Sequence, residues 1–334
     1  MKKTEIAPHG WYVNFIKKHF EIFILVVFSI VWLLLLLIKQ LPFMLPDSGS
    51  GAFAYEHYIV PLLAAFLVQL AAPIFISRIK NQKHVMTNGK RLYVLLYIPF
   101  FIAIVFFHFN FKGWMPLINP NTYDDLYARI DEITPFARWL TMAGIAININ
   151  NSSVALYHQL FVVMFLVSMM AHAMLDNFTN FRKVIVGTSL VLLLGSLSYW
   201  IMPAIGPFIY RPPEILGFYA SQERMLSMYK SFLSTGIPPA GYFTSPPAAM
   251  PSLHVANSFF FLLMAKKSLK ILYFVFIPFC VYFIIIAVAS GWHYFIDLPF
   301  GIVLALLCVF IVDRVYGKSK SANTIDKSRV VNVE

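Results

Sequence analysis

Pro251-Ser252-Leu253-His254 and Gly291-Trp292-His293-Tyr294-Phe295-Ile296-Asp297 are the two runs of this chain whose side chains are equipped for chemistry. His293 and Asp297 stand four residues apart, a separation that on a helix puts both side chains on one face. A carboxylate so placed keeps one imidazole nitrogen protonated and leaves the other as a nucleophile or base. Ser252 follows a proline at an expected helix start, where a hydroxyl and a free backbone N–H form an anion site. The competing reading makes the histidines interfacial hydrogen-bonders and Asp297 a helix-start charge favoured by the dipole. Two such runs in order, both opening apolar segments, favour chemistry.

The elements that must position these residues lie in a membrane. Of 334 residues, 59% are apolar and 12% charged, against about 25% charged in an average soluble domain. That balance excludes a soluble enzyme, a disordered chain and a disulfide-stapled scaffold. Cys280 and Cys308 both fall in apolar runs and read as packing residues. A span needs about 20 apolar residues, and eight segments qualify: about 21–41, 56–77, 91–111, 154–175, 184–203, 252–268, 270–290 and 294–316. The expected fold class is an all-α polytopic membrane protein. The first apolar run, Ile22–Ile38, lacks an Ala-x-Ala-type cleavage site and reads as an uncleaved anchor. Lys266, Lys267 and Lys270 force a tight turn after the short sixth segment.

With the N-terminus in the cytoplasm and the chain alternating, 19 of the 26 Lys and Arg residues fall on cytoplasmic segments and 7 outside. The acids divide 6 inside and 9 outside, so the formal +11 resolves into +13 and −2. The net-positive side resists translocation, so both chemical runs face outward, on a periplasmic or lumenal surface, with a bacterial inner membrane as the expected location. Nucleic acid is not an expected partner, because no basic run interleaves with exposed aromatics.

Residues 1–90 read as a cytoplasmic N-terminus with the first two spans, 91–316 as the six later spans, which the resemblance given below makes a catalytic core, and 317–334 as a polar, disordered cytoplasmic tail. The core carries two long outer loops, Phe111–Ser153 and the proline-rich Ala204–Met250. In the first, Tyr123–Glu132 is acidic and Pro135–Ile149 reads as an interfacial or re-entrant amphipathic stretch. His108 and His158 sit at the depth of the site, and His158 with Gln159 either lines it or makes an interhelical hydrogen bond. His172, near the cytoplasmic end, reads as structural. Asn150-Asn151-Ser152-Ser153 holds glycosylation-type sequons against the fourth span.

At Pro251–His254 and His293–Asp297 the chain resembles the type-2 phosphatidic acid phosphatase superfamily of membrane lipid phosphatases and phosphotransferases. Its second and third signatures are a Pro-Ser-x-His and a His-x-x-x-Asp. The resemblance implies a six-helix core over spans three to eight. It also implies that His293 attacks phosphorus, that Asp297 orients His293, that His254 protonates the leaving alkoxide, and that Ser252 contacts the phosphate. It implies no metal and no cofactor. Two positions depart from the pattern. The first signature sets a Lys seven residues before an Arg-Pro pair; Arg211-Pro212 is present, but the lysine position is Ala204. The third sets an Arg six residues before its His, and that position is Ala287.

Two of three phosphate-clamping cations are thus absent, leaving Arg211 as the expected clamp. Arg224 and Lys230 are possible substitutes that read first as solvated loop charges. A phosphomonoester dianion wants that charge, whereas a diester carries only about −1. Leu253 within Pro-Ser-Leu-His, the His-Tyr-Phe-Ile-Asp run and Met202–Pro207 look like the inositol phosphorylceramide synthase and sphingomyelin synthase branch, whose third signature also lacks the arginine. The resemblance therefore implies transfer of a phospho-head-group from a phospholipid donor to a lipid hydroxyl. Hydrolysis of a lipid phosphate by water is the runner-up. A transporter or scaffold that kept the fold is the non-enzymatic reading, against which stand intact His254, His293 and Asp297.

Overall fold

The computed structural model describes residues 15–16, 18–47, 58–68, 71, 88–147, 153–174, 178–210 and 216–317, and every regular element among them is helical. The first helix, α1 (Phe20–Lys39), buries only Ile24 and Phe28 and turns Leu33, Leu34, Leu37 and Ile38 outward. A helix apolar all round with so little of it covered is stable only in hydrocarbon. It packs on α2 (Asn88–Gly113). Then come α3 (Asp124–Ile133) and α4 (Pro135–Ile147), parted at Thr134, whose extended backbone (φ −100°, ψ 102°) is what a following proline imposes. The amphipathic stretch expected over 135–149 is thus helical to Ile147, and α4 lies along the later helix that ends at Ala289.

The remaining long elements are α5 (Ser153–Met174), α6 (Phe178–Ile201), α7 (Tyr219–Thr235), α8 (Leu253–Ser268), α9 (Lys270–Ala289) and α10 (Asp297–Tyr316). The turn expected at the lysines is a single residue, Leu269, between α8 and α9. At the centre stands α6, packed against α2, α5, α8 and α10. Small residues let it do so: a Cβ on Gly195 would lie 2.3 Å from Leu253 Cδ2, and one on Gly187 would lie 2.1 Å from Phe260 Cζ. Between helices that share an apolar solvent, such close approach supplies the packing energy.

Polar side chains tie the helices at their ends. Arg182 pairs with Glu21 of α1 at 2.8 Å, and buried Lys183 pairs with Asp313 of α10 at 2.8 Å. Arg182 and Lys183, two of the 19 cations assigned by sequence to cytoplasmic segments, are thus interhelical ties. His172 bonds Ser168 O (2.7 Å) and Ser268 Oγ (3.0 Å), joining α5 to α8 in the structural role expected of it.

Six described helices are long and apolar enough to cross a membrane: Phe20–Lys39, Leu96–Gly113, Leu156–Ala173, Phe178–Ile201, Lys270–Ala289 and Asp297–Tyr316. The protein is an integral membrane protein. Of the other two expected spans, 56–77 is described at 58–68 and 71, where it is helical, and its remaining residues lie outside the described ones. Leu253–Ser268 has 16 residues, about 24 Å at 1.5 Å per residue, short of a core about 30 Å thick. Proline before it and lysines at its end set that length.

Candidate functional site

His293 does not stand on α10. It lies in the irregular turn 290–296 between α9 and α10, and the helix opens only at Asp297. The two side chains meet nonetheless, because Asp297 Oδ2 accepts the Tyr294 N–H (2.9 Å) and so folds the turn back over the helix start. His293 Nδ1 lies 2.9 Å from Ala249 O and 3.2 Å from Asp297 Oδ2. A carbonyl oxygen can only accept, so Nδ1 carries the hydrogen and Nε2 keeps its lone pair. The His293 N–H also donates to Ala287 O at 3.1 Å, fixing the backbone below the ring. Asp297 is fully buried, and its Oδ1 has no hydrogen-bond partner among the described residues.

Ser252 closes the other side. It is the N-cap of α8 and wholly buried, with no hydrogen-bond partner for its Oγ among the described residues. Its backbone N–H, expected to be free for an anion, instead donates to Asp297 O at 3.2 Å. The anion-binding potential of this helix start passes to the next three N–H groups, those of Leu253, His254 and Val255, which precede the first intrahelical bond from Ala256 to Ser252. The contact is close because residue 301 is glycine: a Cβ there would lie 2.7 Å from Ser252 O. Ser252, His293 and Asp297 are thus brought together. The His254 ring turns toward α5, with centroids 4.8 Å from Tyr157, 4.7 Å from Phe161 and 6.0 Å from His158. His158 thus lies beside His254 on that side, whereas His108 points into the α2–α6 seam and bonds Ser196 Oγ at 2.7 Å.

Arg211 lies outside the described residues. Arg224 and Lys230 are exposed on α7, with Arg224 beside Gly241. Ala204 and Ala287, where two cations were missing from the sequence pattern, are fully buried, and their carbonyls bind Ala249 N–H and His293 N–H.

Three residues bearing on the site were not singled out from the sequence. Asp124, Tyr127 and Asp131 form the buried face of α3 at i, i+3 and i+7, a helical period inside a stretch read only as acidic loop. Asp124 accepts from the amides of Ile205 (3.0 Å) and Gly206 (2.9 Å) and from the Tyr294 hydroxyl (2.8 Å). Asp131 accepts the Phe295 N–H at 2.9 Å, and Gln222 of α7 donates to Ser290 O at 2.8 Å. Between α3 and the segment 207–210 opens a cleft of about 560 Å³, lined by Asp125, Arg129, Asp131, Glu132, Tyr210 and Tyr294 among others. Its carboxylates outnumber its cations. Burial, followed by the charges of Asp297, Tyr123 and Asp124, pushes the Tyr127 phenol up to about 12. Burial and Asp124 push Tyr294 up as well, so it stays a neutral donor.

Gly206 shows how tightly the loop meets the turn. Its φ of +132° is open to glycine alone, and a Cβ would lie 2.8 Å from Trp292 O. Gly206→Ala is expected to cost about 1–3 kcal/mol of backbone strain, seen as a lower unfolding temperature in detergent. An unchanged temperature would show that the loop relaxes freely.

A family model described as the PAP2 superfamily matches residues 130–311, which include Ser252, His254, His293 and Asp297. No curated protein and no solved structure matches the chain. The family match covers more than half of the sequence, takes in the buried Ser–His–Asp cluster, and fits a bundle of apolar helices. Superfamily members are in general phosphatases and phosphotransferases, and this integral membrane chain belongs to the PAP2 superfamily.

Proposed function

We propose that the protein is a membrane phosphotransferase that moves a phospho-head-group from a phospholipid donor to a lipid hydroxyl through a phosphohistidine at His293. In the first half-reaction His293 Nε2 forms a bond to phosphorus as the bond to the diacylglycerol oxygen breaks. His254 gives its proton to that leaving oxygen. In the second, the acceptor hydroxyl attacks phosphorus, its proton passes to His254, and the N–P bond breaks. Asp297 balances the charge that develops on the imidazole, and Ser252 and Arg211 contact the phosphate. The same reading takes the chain to have eight spans, both termini in the cytoplasm and the site on the outer face. Its catalytic core is then the six helices α2, α5, α6, α8, α9 and α10.

The observation that carries the preference for a diester is the pair Ala204 and Ala287. Both are buried at 0% exposure with their carbonyls engaged, and the neighbouring cleft is acidic. Such a site offers little to a dianion and is better matched to the single charge of a diester. The cleft beside Tyr294 supports a second reading, hydrolysis, because its volume of about 560 Å³ and acidic lining leave room for water.

The test is product analysis with purified protein and defined lipids. Phosphatidylinositol or another diester is expected to yield diacylglycerol and a new head-group-bearing lipid, read by mass spectrometry. Inorganic phosphate as the only product, with a monoester turned over faster, would sink the transferase reading and leave the phosphatase.

A further inference from the structure

Asp124 lies ahead of the segment that matches the family, is 1% exposed, and meets three donors from two distant parts of the chain. One part is the loop after α6, through Ile205 and Gly206. The other is the turn that holds His293, through Tyr294. A buried carboxylate is stable only when its lone pairs are filled, and these donors fill them. Oδ1 takes the Gly206 amide and the Tyr294 hydroxyl, and the Ile205 amide reaches both oxygens at 3.0 Å. A carboxylate so occupied is poorly placed to hold substrate, but well placed to hold protein.

The His293 turn is pinned elsewhere by Asp131 at the Phe295 amide and by Gln222 at the Ser290 carbonyl. Those two contacts secure its ends. Among the described residues the 205–210 segment meets the turn at Phe208 N–H to Gly291 O, 3.2 Å, at the Phe208 and Trp292 rings, 5.6 Å apart, and where Gly206 backs onto Trp292 O. Asp124 is the one side chain among the described residues that hydrogen-bonds both the 205–206 amides and the turn. We infer that Asp124 is a positioning residue: its carboxylate, seated on the Ile205 and Gly206 amides, sets the Tyr294 phenol and through it the direction in which His293 faces phosphorus. The inference rests on His293 being the nucleophile. In-line attack tolerates little error in aim, and a displacement of about 1 Å costs on the order of 10²-fold in rate.

Asp124→Asn keeps the volume and one acceptor oxygen but turns an NH₂ group toward donors. With phosphatidylinositol in mixed micelles, kcat is expected to fall about 10- to 100-fold while KM stays within about twofold. Amide exchange across 290–296 is expected to quicken. Tyr294→Phe removes only the phenol link and is expected to lower kcat by several-fold at an unchanged melting temperature. Asp124→Asn should then cost less in the Tyr294→Phe background than in the native chain. Native kcat and native exchange in a folded Asp124→Asn protein overturn the inference. Should that variant fail to fold, Tyr294→Phe decides: a lower kcat supports the inference and an unchanged one overturns it. His293→Ala, run in parallel, separates the two levels. Turnover surviving that change refutes the nucleophile reading, whereas its loss beside a fully active Asp124→Asn refutes Asp124 alone.

Discussion

Alanine at position 293 is expected to abolish turnover of a labelled phospholipid, a loss of at least about 10⁴-fold, while the protein is still made and inserted. The reason for so large an effect is that the imidazole does two things at once. On the proposed mechanism its Nε2 is the nucleophile, and its Nδ1, donating to Ala249 O and Asp297 Oδ2, lets positive charge develop on the ring as the N–P bond forms. Neither Ser252 nor His254 replaces it, since no base among the described residues is hydrogen-bonded to the Ser252 hydroxyl, and a His254 spent on attack could not protonate the leaving oxygen. The fold survives because the turn keeps its other ties, from Asp131, Gln222 and the Tyr294 amide. Acid-labile radiolabel on the native protein, absent from the variant, is the accompanying signature. Turnover within about tenfold of native would overturn the mechanism.

The parts of this site that the sequence makes legible are those set by local spacing. His293 and Asp297 belong together at four residues apart, and they meet, although through a folded turn and not on a helix face. Ser252 caps a helix as its proline foretells, but spacing along the chain is silent about Asp297 O, which takes the amide that seemed free. Apolar runs announce the spans, and the same lysines that end α8 leave it too short to count by length. The contacts that aim the turn are of another kind. Asp124 meets Tyr294 across 170 residues, Asp131 meets Phe295 across 164, and Gln222 meets Ser290 across 68. Each partner is a backbone group or a lone phenol, which no motif marks. An acidic stretch in an outer loop reads first as solvated charge, and only the i, i+3, i+7 period of Asp124, Tyr127 and Asp131 hints that one face is buried.

Asp297→Asn is expected to lower kcat on the order of 10²-fold, well short of the His293 change. In a Ser-His-Asp triad the same replacement costs about 10⁴, largely because the amide lets the imidazole adopt the wrong tautomer. Here a second acceptor guards against that. Ala249 O lies 2.9 Å from Nδ1, nearer than the 3.2 Å of the carboxylate, and a backbone carbonyl holds the hydrogen on Nδ1 whatever residue 297 is. Asparagine can also still accept the Tyr294 N–H through its own oxygen, so the turn keeps its shape. What is lost is the negative charge opposite the ring as the proposed phosphohistidine forms. The loss should therefore fall on kcat with KM little changed, and Asp297→Ala, which removes the Tyr294 tie as well, should cost more. A fall as deep as that of His293→Ala, measured with the same lipid, would show that Ala249 O does not hold the tautomer and that the carboxylate alone orients the ring.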